Sequence, residues 1–224
     1  MLTPNTTVVI ADDLTGANDT ALQFFAKGAV TEILLDYNKM PVKNLPIDAW
    51  AVSTESRNKS PEEAEKRTEE ACKSFKNKLN VDYFYKKIDS TLRGNLACEI
   101  MAALRVTGDD CAIITPAYIQ EGRITIGGYQ LLKGVPVERT EAARDPHVPV
   151  YESNIVNILR KQLQTEDDIV DLIDFSTVSK GAAPLVLKLN ELIKKGKKLI
   201  VVDAVSVIDM EQIVLAMKKS NYNI

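Results

Sequence analysis

The chain is poor in the residues that most often announce a reaction. It has 224 residues, a single histidine, a single tryptophan, three cysteines and 6% aromatic residues. Cys72, Cys98 and Cys111 lie far apart, are odd in number and form no C-x-x-C pair. That spacing excludes a zinc site and a disulfide framework, and it reads as free thiols of a reducing compartment. No metal site is expected. The chain has no G-x-x-x-x-G-K-[ST] loop, no G-x-G-x-x-G fingerprint and no G-x-S-x-G elbow, so nucleotide-cradling glycine loops and an α/β-hydrolase nucleophile are not expected. No apolar run reaches about 18 residues, so no membrane span is expected. No basic stretch followed by an apolar one opens the sequence, so no signal peptide is expected either, and the reading is cytoplasmic. Lys and Arg number 28 against 31 Asp and Glu, a net charge of −3, which offers nothing to nucleic acid. Repeats, low-complexity tracts and interdomain linkers are also missing.

What is present is an ordinary globular composition, 45% hydrophobic and 26% charged, long enough for one large domain or two small ones. The reading is a single domain over 1–224. The organising stretch is Thr7-Val8-Val9-Ile10-Ala11-Asp12-Asp13-Leu14-Thr15-Gly16-Ala17-Asn18-Asp19-Thr20. A β-branched run over 7–11 breaks at two carboxylates and turns into a helical pattern with Leu14, Ala17, Ala21, Leu22 and Phe25 on one face. A cap accounts for one polar residue there, not for Asp12, Asp13, Thr15, Asn18 and Asp19 together. Further strands are expected at 31–35, 47–52, 82–88, 111–115, 169–173 and 198–202. Helices are expected at 14–27, 61–79, from 96, near 153, at 182–194 and from 209, with 220–224 frayed. Ser60-Pro61-Glu62-Glu63 is a capping box with proline at the first helical position. The alternation predicts an α/β fold of three layers, a mostly parallel sheet with helices on both faces. Between 116 and 149 the helical period vanishes and Gly122, Gly127, Gly128 and Gly134 punctuate short apolar pieces. That is the pattern of a β-hairpin or flap insertion, and long irregular segments in compact domains are often functional.

Polar clusters stand at four strand ends: Asp12/Asp13, Ser53–Arg57, 87–95 and Asp203. Parallel strands share one direction, so these ends are expected to converge on one cleft. Side chains alternate across a strand, so of Asp12 and Asp13 only one faces a given ligand while the other caps or braces. The densest cluster is Lys86-Lys87-Ile88-Asp89-Ser90-Thr91-Leu92-Arg93-Gly94-Asn95. Lysine and arginine grip carboxylates or phosphates, Asp89 can take a proton, and a helix start favours an anion. The bland alternative is a capped helix with solvated charges. His147, between two prolines and next to Arg144 and Asp145, and Arg123, after Gly122, are loop residues with either a binding or a merely solvated role.

Taken together, Ala11-Asp12-Asp13-Leu14-Thr15-Gly16-Ala17-Asn18-Asp19, Lys87-Ile88-Asp89-Ser90-Thr91-Leu92-Arg93-Gly94-Asn95, Pro116-Ala117 with Gly122-Arg123, Arg144-Asp145-Pro146 and Val202-Asp203-Ala204 resemble the four-carbon acid sugar kinase family, in the family's order and over essentially the whole chain. The resemblance implies ATP-dependent phosphorylation of the terminal hydroxyl of threonate, erythronate or 3-oxo-tetronate. It extends only to the family's N-terminal, sugar-acid-binding domain. ATP and Mg²⁺ are therefore implied for the full-length enzyme with their site outside this chain. The implied partners are a small-molecule sugar acid, a nucleotide-binding domain in cis or on a separate chain, and possible homo-oligomer copies. Candidate catalytic carboxylates are Asp13, Asp12 and then Asp89. Candidate substrate contacts are Thr15, Ser56, Arg57, Lys87, Ser90, Arg93, Gly94, Arg123 and His147. Two other readings are a stand-alone sugar-acid-binding or regulatory module, and a Mg²⁺-dependent phosphatase using Asp12/Asp13. The last is disfavoured because haloacid-type carboxylates are spaced by one residue.

Overall fold

The computed structural model describes residues 6–39, 46–165 and 167–220. The expected loop over 36–46 and the frayed end over 220–224 lie mostly outside these residues. The described residues group into two compact units, one of those within 6–89 and 98–108 and one of those within 90–97 and 109–220.

The first unit is built on a parallel sheet of β1 (Thr7–Ala11), β2 (Thr31–Leu34), β3 (Ala49–Ser53) and β4 (Tyr83–Lys87), in the order β2-β3-β1-β4. Strand β1 pairs with β3 from Thr7 opposite Ala49 to Ala11 opposite Ser53, and with β4 from Thr7 opposite Tyr83 to Ala11 opposite Lys87. Helix α1 (Leu14–Ala26) carries the chain from β1 outward to β2; helix α2 (Pro61–Lys76) carries it from β3 back across β1 to β4. Right-handed crossovers in opposite directions place the two helices on opposite faces of the sheet. Helix α3 (Leu96–Thr107) follows β4. The start of α2 is capped as its sequence indicates, with Ser60 Oγ accepting from Glu63 N at 3.3 Å, and Ala64, Thr68, Ala71, Cys72 and Phe75 are buried. Helix α1 departs from its expected face. Ala17 and Ala21 pack on Val9, Ala11 and Ala51, while Leu22 and Phe25 are 57% and 66% exposed. Strands β1 and β3 present small residues to the helix, so alanines sit closest to the sheet and the large side chains turn away.

The second unit holds two further sheets. One is parallel, in the order β5-β10-β9, from β5 (Ala112–Ile114), β9 (Val170–Ile173) and β10 (Leu199–Val202). The other is the expected hairpin, β6 (Arg123–Ile126) and β7 (Tyr129–Leu132), extended by β8 (Val135–Pro136), and followed by 3₁₀ turns to Arg144. Helices α4 (Ile155–Leu163), α5 (Phe175–Val178), α6 (Ala182–Lys194) and α7 (Val207–Ser220) complete it. Leu185, Leu189, Ile200, Val202 and Ile213 form its core. The parallel strands thus divide between two sheets, because β5 pairs with β10 and not with a strand of the first unit. Asp203 accordingly stands at the end of a different sheet from Asp12, Arg57 and Lys87. Within the described residues no helix is long and apolar enough to cross a membrane.

Candidate functional site

In the first unit, the chain leaves β1 onto one face of the sheet and leaves its neighbour β3 onto the other. Between two such strand ends a crevice opens, the usual ligand position in open α/β sheets. Three of the predicted residues meet there. Arg57 donates from Nε to Asp12 Oδ2 at 2.7 Å and from Nη2 to Asp12 Oδ1 at 2.9 Å, a bidentate fork. Its Nη1 donates to Asp13 Oδ2 at 2.6 Å. Asp13 also caps α1, its Oδ1 accepting from Gly16 N at 2.8 Å. Strand alternation would send the two side chains to opposite sides, but β1 ends at Ala11 and both carboxylates meet on the one guanidinium; they differ in exposure, the Asp12 side chain being 4% exposed and the Asp13 side chain 25%. Asp12 is the brace and Asp13 the carboxylate within reach. Burial works against the Arg57 charge, but hydrogen bonds to Asp12 and the charges of Asp12, Asp89 and Asp13 outweigh it and hold the guanidinium above its ordinary value.

Lys87 ends β4 beside this cluster, and its Nζ donates to the Ile88 carbonyl at 2.6 Å. A Cβ on Gly16 would stand 3.4 Å from Lys87 Cγ and 3.7 Å from Nζ, ordinary contact distances, so the lysine lies along the first turn of α1. Burial pushes the Lys87 ammonium down, against the opposing pull of Asp12, Asp89 and Asp13. The cation sits where the helix dipole is positive, a place that favours anions. Thr15 is exposed on the same turn, and Asp89 is buried one strand end away. Ser56 is fully buried, so it braces the loop from beneath rather than lining a surface.

The remaining predicted residues belong to the second unit. Arg123 Nη1 donates to Ser90 Oγ at 2.5 Å, while its buried Nε has no protein partner. Gln130 fixes the Ser90 backbone, donating to the Ser90 carbonyl at 2.8 Å and to the Pro116 carbonyl at 3.1 Å. Arg93 Nη1 bonds Asp145 Oδ2 at 3.0 Å, and Asp145 Oδ1 accepts from the backbone N–H of His147 and of Val148, both at 2.9 Å. Those two N–H groups and then Arg93 bring the Asp145 carboxyl down to about 2. His147 is exposed, and the bond of its backbone N–H to Asp145 fixes the bend of its loop. Gly94 is left-handed at φ 95° and its carbonyl accepts from Gln162 at 3.0 Å. Asp203 is fully buried and takes three backbone N–H groups, from Gly127 at 2.7 Å, Gly128 at 2.9 Å and Phe175 at 2.9 Å. Burial raises its carboxyl although those donors favour the charged form. It anchors the hairpin turn.

Residues 7–223 match the family model described as the sugar-binding N-terminal domain. The chain belongs to that family. Relatives of this sugar-binding N-terminal domain include a D-erythronate kinase of Heliobacterium modesticaldum, 39% identical over 92% of the chain and 46% of that protein. A D-threonate kinase of Salmonella typhimurium is 36% identical over 93% of the chain and 48% of its own length. The chain thus spans about half the length of the curated relatives it matches. Among solved structures, a Haemophilus influenzae protein superposes with a TM-score of 0.86 at 28% identity, covering 96% of this chain and 52% of that one. A domain of unknown function from Bordetella bronchiseptica, solved with bound citrate as a domain-swapped dimer, gives 0.80 at 29% identity over 95% and 51%.

One buried polar residue beside the cluster, Glu99, is 2% exposed and stands outside every polar cluster named from the sequence; Thr54, also 2% exposed, is the buried member of the Ser53–Arg57 cluster. Glu99 carried a legible signal, being the one acidic residue of α3 and three positions after the buried Leu96, on the apolar face.

Proposed function

We propose that this chain is the sugar-acid-binding part of a kinase that phosphorylates the terminal hydroxyl of a four-carbon sugar acid. The observation that carries the reading is the Asp12–Arg57–Asp13 cluster at the switch point between β1 and β3, with the Lys87 ammonium beside it. Lys87 is the cation for an anionic ligand, because Arg57 is already committed to two carboxylates. Asp13, the more accessible carboxylate, is the acceptor for a ligand hydroxyl, and Asp89 is the second candidate. The erythronate and threonate kinases among the relatives, and the citrate held by the Bordetella protein, support a small hydroxy-acid ligand.

The cofactors of such a reaction are ATP and Mg²⁺. The donor set here does not suit the metal: both Asp12 oxygens accept from Arg57, and the Asp13 oxygens accept from Arg57 and Gly16 N. Among the described residues no group of three metal-ligating side chains comes together. Both cofactors are therefore assigned to a nucleotide-binding domain, in cis or on a separate chain. Phosphoryl transfer asks chiefly for positioning, which is the part this domain supplies.

Isothermal calorimetry with D-erythronate and D-threonate tests the proposal. Lys87→Met is expected to weaken binding by about 2–4 kcal/mol, as for truncating one partner of a buried charge contact. Failure to bind either acid, with a nucleotide-binding domain present as well as without it, would overturn the reading.

A further inference from the structure

Beneath the Arg57 loop runs a buried polar chain that the proposed reaction does not use. Lys86 Nζ, on β4, pairs with Glu99 Oε2, on α3, at 2.6 Å, with side chains 4% and 2% exposed. The other Glu99 oxygen accepts from Ser56 Oγ at 2.7 Å. Ser56 Oγ lies 2.6 Å from Thr54 Oγ1. Thr54 Oγ1 also lies 3.0 Å from the Ala11 carbonyl, its acceptor on β1, so Thr54 and Ser56 tie the loop to the strand on one side and to the Glu99 carboxylate on the other. Burial works against the Lys86 charge, but Glu99 and then Asp12 outweigh it.

Every residue of the loop between β3 and Arg57 is held. The backbone N–H groups of Ser56 and Arg57 both donate to the Asp12 carbonyl, at 3.0 and 3.2 Å. From α2, Arg67 Nη1 donates to the carbonyls of Thr54 at 3.1 Å and Glu55 at 3.3 Å. Glu55 takes the left-handed conformation at φ 49°, which is uncommon outside glycine and persists where the surroundings over-determine it. A buried ion pair is a poor device for stability alone, since an apolar pair of similar volume often does as well or better. Its location is the informative part: it ends on the residue before Arg57.

We propose that Lys86 and Glu99 are positioning residues that, through Ser56, hold the 54–57 loop so that the Arg57 guanidinium presents Asp13 to the ligand. The inference rests on the sugar-acid reading for its functional consequence, but its structural half does not. Glu99 and Lys86 are buried, with side chains 2% and 4% exposed. They fix the place of a side chain that organises the site, in the way a supporting shell fixes a binding constellation.

The test pairs a ligand-free readout with binding. In the wild type, the Arg57 Nε–H held by Asp12 is expected to give a discrete, slowly exchanging ¹⁵N–¹H resonance. Glu99→Gln, which leaves the Lys86 ammonium without its counter-charge, is expected to broaden that resonance and weaken D-erythronate or D-threonate binding at least tenfold. The double variant Lys86→Met/Glu99→Leu is expected to recover the wild-type thermal midpoint and keep both losses. If the double variant binds within twofold of wild type with the Arg57 resonance intact, the pair merely fills the core and the inference falls. Should both variants fail to fold, Ser56→Ala, which leaves the ion pair in place, must broaden the resonance; an unchanged signal overturns the proposal. A wild type that binds neither acid, with the resonance still lost in Glu99→Gln, would sink the sugar-acid reading and leave the positioning role standing.

Discussion

A guanidinium that commits its Nε and both terminal nitrogens to two carboxylates is an organiser, and the charge left to meet an anion is the one with fewer partners. Arg57 and Lys87, interchangeable as grips by residue type, therefore take different roles in the proposed site: Arg57 has the fork geometry for Asp12, and Lys87 is a point charge whose Nζ donates to the Ile88 carbonyl. At the same scale, Asp145 makes a pH-dependent contribution. The N–H groups of Val148 and His147, with Arg93, take its carboxyl from an ordinary 3.8 to about 2. A folded-state value below the unfolded one gives stability that is complete above the unfolded pKa and lost as pH falls through the folded one. The thermal midpoint of Asp145→Asn is therefore expected to lie below wild type at neutral pH. The gap should close between pH 3.8 and about 2. Thermal scans across that range check it; a gap that stays constant with pH would show that the Asp145 charge contributes nothing.

At the scale of elements, the first turn of α1 combines a cap with the proposed site. Gly16 stands where a Cβ would approach Asp13 Oδ1 to 2.7 Å and lie against Lys87. Gly16→Ala gains about 0.5–1 kcal/mol of helix propensity and loses up to about 1 kcal/mol of capping as Asp13 is displaced. The melting temperature is expected to change little, while sugar-acid affinity falls at least tenfold because the Asp13 carboxylate is displaced. Unchanged affinity in calorimetry would detach the helix start from the site. The hairpin shows the same economy of parts. Ile126 pairs with Tyr129 across Gly127 and Gly128, at φ 60° and 75°, the double left-handed turn that suits the strand twist. Asp203, at the end of β10, accepts from both of their N–H groups, so the turn is fastened to the sheet rather than left loose.

At the scale of the molecule, the chain answers to about half of each kinase it resembles. A binding domain of this kind is expected to hold its acid alone and to turn it over only alongside the nucleotide-binding half. A coupled assay for ADP with D-erythronate, ATP and Mg²⁺ should register turnover when a nucleotide-binding domain is present, in cis or as a separate chain, and none with residues 1–224 alone. Turnover by residues 1–224 alone would place the nucleotide site within them and refute the assignment.

Periodicity, capping boxes and glycine placement were enough to mark out the elements, because each is a local property of the chain. The α6 span of 182–194 and the hairpin around Gly127-Gly128 are read directly, and so is the convergence of Asp12, Asp13 and Arg57 at neighbouring strand ends. The assignment of strands to two sheets was not legible, since pairing depends on which apolar faces meet across long sequence separations. Nor was the outward turn of Leu22 and Phe25, which follows from the small residues α1 finds on the sheet. The roles inside the cluster were beyond local pattern as well. Whether an aspartate braces or presents, and whether an arginine grips a ligand or a neighbour, is decided by distances of a few tenths of an ångström between residues forty or more positions apart, and only the folded chain sets those.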